Sequence, residues 1–215
     1  IHGDFLNSTT GGNDVFRVYA SGSVTGSLYG DTGNDTFTVD LGGDVTTIDG
    51  GDNTATGDRV NLGAGAQVNI GTGITLGSIN ISNIEGVDST NGSLYARDGF
   101  NTTWNIIGAD TGSASDSGAS LSFSGFSNLY GSNGNDVFNV SADGSISGLI
   151  RAGSGTNSLN VALTPTRQGG QVYYIGGTGT DTVAISGASN TVVYTPAINV
   201  GGVTYERLAY TGTNP

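Results

Sequence analysis

Six side chains that could bind a metal ion recur along the chain at nearly even intervals. They are Asp14, Asp35, Asp58, Asp136, Asn157 and Asp181, and we call them the anchors. Asp31, Asp49 and Asp52 stand in neighbouring predicted turns and could supply further oxygen atoms. Calcium takes about six to eight oxygen ligands, largely carboxylates and backbone carbonyls, so we predict calcium ions between successive anchors. The alternative is an Asx-turn, in which the side chain caps its own backbone. Asn157 favours this alternative, because an amide is a weaker ion ligand than a carboxylate.

The segments that follow the anchors have the alternation of half-buried β-strands. After Asp35, for example, the apolar residues Phe37 and Val39 alternate with Thr36 and Thr38. All six anchors are followed by apolar residues two and four positions later. A period of two is typical of a strand with one buried face, so these positions are predicted to form the core.

The spacing of the anchors predicts how these strands are arranged. Asp14 and Asp35 are 21 residues apart, as are Asp136 and Asn157. Gly-, Asn- and Asp-rich turns separate the apolar segments. We therefore predict an all-β fold, a parallel β-solenoid of roughly 21-residue coils with essentially no helix. About ten coils would make a rod on the order of 50 Å long. The rival fold is a sandwich of antiparallel hairpins, which does not require strands to repeat their residue types in phase.

The repeat is uneven along the chain. We predict a single solenoid domain over residues 1–215, with an irregular stretch around 86–120 that contains Trp104. A second apolar pattern recurs more slowly, at residues 79–84, 121–126 and 203–208. These three segments keep phase with the anchors and are predicted to be strands.

The anchor turns also carry a recognisable motif. Residues 176–184, GGTGTDTVA, fit the nonapeptide G-G-x-G-x-D-x-U-x that binds calcium in RTX proteins. Residues 30–38 and 131–139 depart from it only at the second glycine. The chain resembles the repeat regions of giant bacterial surface or secreted proteins, which are adhesin-like and often RTX-related. The resemblance covers most of residues 1–63 and 120–215, and the middle only loosely. It implies an extracellular, elongated, non-catalytic segment. RTX blocks run nonapeptides in tandem, whereas one such turn per coil permits at most a single column of ions.

Charge and composition narrow the range of partners. The net charge is -12, from 18 acidic residues against 6 Arg and no Lys. Such a chain repels nucleic-acid phosphates and anionic membranes, and no apolar run approaches the ~20 residues of a membrane span. We therefore predict no nucleic-acid partner and no membrane insertion. The charge suits divalent cations, although solubility alone would also explain it.

The side chains that catalysis needs are scarce. The chain has no Cys, and His2, at one end, is its single histidine. A nucleophilic triad would have to use that histidine. Glu85 and Glu206 stand in separate slow-repeat segments rather than together. We therefore predict that the protein is not an enzyme, and no catalytic residue is assigned.

These observations lead to a structural function. We predict an extracellular β-solenoid module of a bacterial surface, adhesin or matrix-fibre protein, stabilised by calcium. Residues 5–14 and 208–215 read as equivalent parts of the repeat, so we expect stacking end to end on other copies or on neighbouring repeats. The alternative is a carbohydrate-binding or carbohydrate-cleaving β-helix, with surface glycans as partners.

Overall fold

The computed structural model describes residues 1, 3, 11–40, 42–53, 56–69, 74–76, 79–118, 120–163, 170–187, 190–200 and 203–212. No helix occurs in these ranges, and the chain forms a β-solenoid of about 6 turns, which confirms the predicted fold class. The strands are β1 (Val15–Val18), β2 (Ser23–Tyr29), β3 (Thr32–Gly33), β4 (Thr36–Val39), β5 (Asp44–Asp49), β6 (Asp52–Asn53), β7 (Arg59–Leu62), β8 (Gln67–Asn69), β9 (Ile74–Leu76), β10 (Ile79–Ser82), β11 (Gly86–Tyr95), β12 (Thr103–Gly108), β13 (Thr111–Ser115), β14 (Ser120–Tyr130), β15 (Val137–Val140), β16 (Leu149–Arg151), β17 (Ser154–Gly155), β18 (Ser158–Leu163), β19 (Gly170–Ile175), β20 (Thr178–Gly179), β21 (Thr182–Gly187), β22 (Asn190–Val200) and β23 (Val203–Gly212).

The strands form two long faces joined by turns. A regular coil contributes one strand to the first face, as β4 does, and one to the second, as β5 does; the anchor turn then leads to the next coil. Among the described residues, the first face runs in the spatial order β1-β4-β7-β11-β14-β13-β12-β15-β18-β21. The second face runs β2-β5-β10-β9-β8-β11-β14-β16-β19-β23-β22. The long strands β11 and β14 bend and belong to both faces.

The solenoid is not wound in one direction throughout. On the first face, β13 turns back antiparallel to β12, and β14 turns again, lies antiparallel to β13 and pairs with β11. We call such a double reversal an excursion. On the second face β8, β9 and β10 make the same kind of excursion, and β10 pairs with β5. The expectation of ten coils was therefore wrong: there are about 6 turns, because the excursions use chain without adding a full turn. The slow-repeat segments lie in β10, β14 and β23, which are all strands of such reversals.

The core lies between the two faces and repeats the predicted apolar column. Phe37 pairs in register with Phe16 on one side and Val60 on the other. Trp104 stacks on Phe138, with ring centroids 5.6 Å apart. Removing a large apolar side chain from water contributes about 1.5–3 kcal/mol, so this column supplies much of the stability.

The column is less covered at the two outermost strands of the first face. Phe16 of β1 is half-buried, and Val183 and Ile185 of β21 are 37% and 36% exposed. Both strands have one paired neighbour among the described residues. Burial of a core position therefore depends on a strand on each side.

Candidate functional site

The solenoid brings the anchors together in one column, at the turns that lead from the second face to the first. Asp35, Asp58, Asp136 and Asn157 are at most 1% exposed, whereas Asp14 and Asp181 are half-buried. Buried carboxylates are costly unless they accept hydrogen bonds or pair with cations. Each anchor's partners therefore decide what it does.

The first partner of an anchor is the backbone of the preceding coil. The Asp35 N–H donates to Asp58 Oδ1 at 2.6 Å, and the Asp136 N–H donates to Asn157 Oδ1 at 2.8 Å. The same bond joins Asp14 to Asp35 (2.7 Å) and Asn157 to Asp181 (3.1 Å). We call this series the anchor ladder. It has the chemistry of the Asx alternative, but the bonds run between coils rather than within one turn.

Two members of the anchor ladder were not predicted from the sequence. The Asp58 N–H donates to Glu85 Oε2, and the Thr102 N–H donates to Asp136 Oδ1, both at 2.8 Å. Thr102 had a usable signal, because residues 101–106 repeat the phase of residues 135–140 with Thr in place of Asp. Glu85 had none, since it follows Asp58 by 27 residues and has a longer side chain.

A second ladder is formed by residues that stand just before Asp14, Asp35, Asp58, Asp136 and Asn157, and it runs in the opposite direction. Here the backbone N–H donates to an Asn Oδ1 of the preceding coil. The bonds run from Asn34 to Asn13 (2.9 Å), from Gly57 to Asn34 (2.9 Å), from Asn135 to Asn101 (2.7 Å) and from Thr156 to Asn135 (2.8 Å). Successive N–H groups of an extended segment point alternately up and down the stack. The Asn-Asp dipeptide therefore ties each coil to both of its neighbours.

The second side-chain atom of the anchors distinguishes carboxylates from amides. Asp58 Oδ2 is buried and has no hydrogen-bond partner among the described residues, and it lies beside Gly50, where a β-carbon would strike both Oδ2 and the carbonyl oxygen of Asn83. At the equivalent place Asn157 Nδ2 donates to the Gly176 carbonyl oxygen at 3.5 Å. At this place a carboxylate oxygen lies beside another hydrogen-bond acceptor, whereas an amide nitrogen can donate to that acceptor.

The surroundings of Asp58 also change its acidity. The pKa of Asp58 is raised from 3.8 to about 6, chiefly by burial; the hydrogen bond from the Asp35 N–H lowers it, and the nearby carboxylates of Asp35, Glu85 and Asp49 add to the rise. Burial likewise raises the pKa of Asp136, although Oδ2 of this residue accepts the Ser132 N–H at 2.9 Å. Of the two, Asp58 is the one surrounded by other carboxylates.

The remaining predicted calcium ligands lie in the same column of turns but do not converge. Asp31 has a left-handed backbone (φ 71°), and its carbonyl oxygen accepts the Asp52 N–H at 2.8 Å. Asp49 Oδ1 accepts Asn83 Nδ2–H at 2.8 Å, and the side chain of Asp52 is exposed. In the part of the chain that the structure describes, no group of three or more His, Cys, Asp or Glu is placed to hold a metal ion. Calcium binding therefore stays a prediction. His2 lies outside the described residues.

We compared the chain with known protein families, curated proteins and solved structures. No protein-family model, curated protein or solved structure matches the chain. The described residues also include no helix long and apolar enough to cross a membrane. The resemblance to adhesin-like and RTX-related repeats stays a prediction from the anchor turns.

Proposed function

We propose that the protein is a structural, non-catalytic β-solenoid module that resists unwinding in an extracellular bacterial surface, adhesin or matrix-fibre protein. The observation that carries this proposal is the pair of opposed hydrogen-bond ladders at the anchor turns. Strand pairing and the apolar core hold the two faces together, and the ladders extend the same linkage into the turns. A coil can leave the stack only by breaking all three sets of contacts.

The bacterial, extracellular part of the proposal is supported by the RTX-like nonapeptide turns. End-to-end association with other copies or neighbouring repeats is supported by β21, where Val183 and Ile185 have the phase of core residues and are more than a third exposed. Such side chains gain free energy when a further strand covers them.

Pulling the chain from both ends in a single-molecule force experiment tests the structural role. Each coil of about 21 residues should release about 70 Å of contour length, because an extended chain spans about 3.3–3.6 Å per residue. We expect stepwise release in units near this length from the regular coils, and longer steps where the excursions of β8–β10 and β12–β14 unwind. Loss of the whole chain in one low-force event would contradict the proposed role, and binding or cleavage of oligosaccharides would favour the carbohydrate alternative.

We further propose that calcium stabilises the N-terminal half of the column. Asp14, Asp35, Asp58 and Glu85 are consecutive ladder members there, so four carboxylates stand in adjacent coils. In the other half Asp136 is flanked by the neutral Thr102 and Asn157. A hard divalent cation would relieve like-charge repulsion in the first half and has less to relieve in the second.

Thermal unfolding in calcium and in EDTA tests this part. The melting temperature should rise with calcium and fall back with EDTA. Asp35→Asn should reduce the rise, and Asp136→Asn is the matched control that should leave it nearly unchanged. A melting temperature that does not respond to calcium would contradict the calcium proposal. It would not contradict the structural role, which the force experiment tests separately.

A further inference from the structure

Tyr95 and Tyr130 form a stacked pair on the outer surface of the second face. Their ring centroids are 4.4 Å apart and their planes are inclined by 7°. The register of β11 and β14 places the two residues directly opposite each other. Both side chains are half-buried, so the ring edges meet solvent while the facing sides cover each other.

We propose that Tyr95 and Tyr130 are a site of oxidative cross-linking, at which a haem peroxidase using hydrogen peroxide joins the two rings as dityrosine. Each phenol gives up one electron and one proton, which leaves two phenoxyl radicals. A carbon–carbon bond forms between the two ring carbons ortho to the hydroxyl groups. The hydrogens on those carbons are lost as protons while both oxygens are reprotonated, so the rings regain aromaticity. One hydrogen peroxide is reduced to two waters, and the chain loses two hydrogen atoms in total.

The stacked geometry favours coupling within the chain over coupling between chains. Two reacting groups held in contact behave as if their concentration were far above any attainable in solution. Coupling between chains requires two molecules of net charge -12 to meet. The product is therefore an intramolecular link.

The link would join two strands that are distant in the sequence. β12, β13 and the first-face part of β14 lie between Tyr95 and Tyr130 along the chain. A covalent bond there closes the excursion into a loop and limits the unfolded chain, as a disulfide does. The proposed cross-link involves one tyrosine pair and depends neither on calcium nor on the proposed extracellular role.

Treatment of the purified chain with a peroxidase and hydrogen peroxide tests the inference. We expect dityrosine fluorescence, a mass lower by two hydrogens, migration as a single chain on a denaturing gel, and a yield independent of protein concentration. Trypsin cleaves after Arg59, Arg97 and Arg151, so Tyr95 and Tyr130 fall in different peptides with no other tyrosine. The cross-linked pair of peptides should be recovered directly by mass spectrometry, and the melting temperature should rise.

Phenylalanine variants provide the controls, because they keep the stacked ring and remove the phenol. Tyr95→Phe and Tyr130→Phe should each lower the fluorescence by about tenfold. Tyr19→Phe, at a 64% exposed tyrosine under the Arg17 guanidinium, should leave it unchanged. Covalent dimers as the main product, a cross-link that maps to other tyrosines, or full fluorescence in Tyr95→Phe would overturn the inference. None of these outcomes would affect the force experiment.

Discussion

At the scale of single residues, the two side-chain atoms of an anchor have opposite requirements. One must accept a backbone N–H from the preceding coil, which both Asp and Asn can do. The other faces a carbonyl oxygen of the following coil at Asp58 and at Asn157, which suits the Asn amide and not a carboxylate. The free energy of burying a charge there is added to this mismatch. An Asp in this position is therefore stable only with a proton, a cation or some other compensation.

Replacing Asp58 by Asn should stabilise the protein at neutral pH without calcium. The variant keeps Oδ1 for the Asp35 N–H, removes a buried charge and gives the Asn83 carbonyl oxygen a donor. We expect a gain of about 1–3 kcal/mol in the free energy of unfolding, measured by urea denaturation at pH 7. Asp58→Ala removes the charge but also the acceptor for the Asp35 N–H, so it should be less stable than Asp58→Asn by about 1–3 kcal/mol. A loss of stability in the Asn variant would show that the carboxylate has a favourable partner.

The raised pKa of Asp58 has a defined sign in the pH dependence of stability. In the folded chain this carboxyl ionises at about pH 6, against 3.8 for the ordinary value. Its contribution to stability is therefore fully present below about pH 4 and is lost as the pH rises through 6, a change of at most about 3 kcal/mol. Urea denaturation between pH 4 and 7 should show a smaller loss in Asp58→Asn than in the unaltered chain. Equal slopes in the two proteins would contradict the assignment.

At the scale of elements, the excursion of β12 and β13 is held by its hairpin turn. Asp110 adopts a left-handed backbone there (φ 52°), and its two carboxylate oxygens accept the N–H and the hydroxyl of Ser147, both at 2.7 Å. Its backbone is also bonded: the N–H donates to the Ser145 carbonyl oxygen, and the carbonyl oxygen accepts the Gly125 N–H. One residue thus ties the reversed segment to the strands on both sides of it.

Removing the Asp110 side chain should loosen the excursion. Asp110→Gly deletes the two charge-assisted hydrogen bonds without straining the left-handed backbone, and it should cost about 1–3 kcal/mol. Hydrogen exchange should then be faster in β12 and β13 than in β4 and β7. Asp143→Ala, at an exposed carboxylate in the nearby turn, should change stability by less than about 0.5 kcal/mol. Equal effects of the two substitutions would argue against this role for Asp110.

At the scale of the whole molecule, stability should depend on position along the stack. Each coil contacts mainly its two neighbours, so an interior strand is buried on both sides and an outermost strand on one. Val60 of β7 is fully buried, and Val183 of β21 is 37% exposed, although both stand two residues after an anchor. The two valines are therefore a matched pair that differs in position.

Truncation of these two valines should separate the interior from the outermost strand. Val60→Ala should lower the free energy of unfolding by about 2–3 kcal/mol, because it removes two buried methyl groups and leaves a cavity. Val183→Ala should cost less than about 1 kcal/mol. Denaturant titrations of the two variants give both values. Similar losses would mean that β21 is covered in solution, as end-to-end association would produce.

The amino-acid sequence alone determined the strands that follow the anchors, the anchor column and the apolar column. Each of these follows from a repeat in the sequence. The two-residue alternation of apolar and polar residues determines which side chains face inward, and the even spacing of the anchors determines which side chains stack. The direction of β9 and β13 followed from no such signal, because a period of two reads the same in a forward and in a reversed strand. Only the tertiary structure decided that these strands run backwards, and that Glu85 and Thr102 complete the anchor ladder. It also decided what an anchor bonds to, because the hydrogen-bond partner of a side chain is a backbone group in the neighbouring coil, and the excursions determine which coil that is.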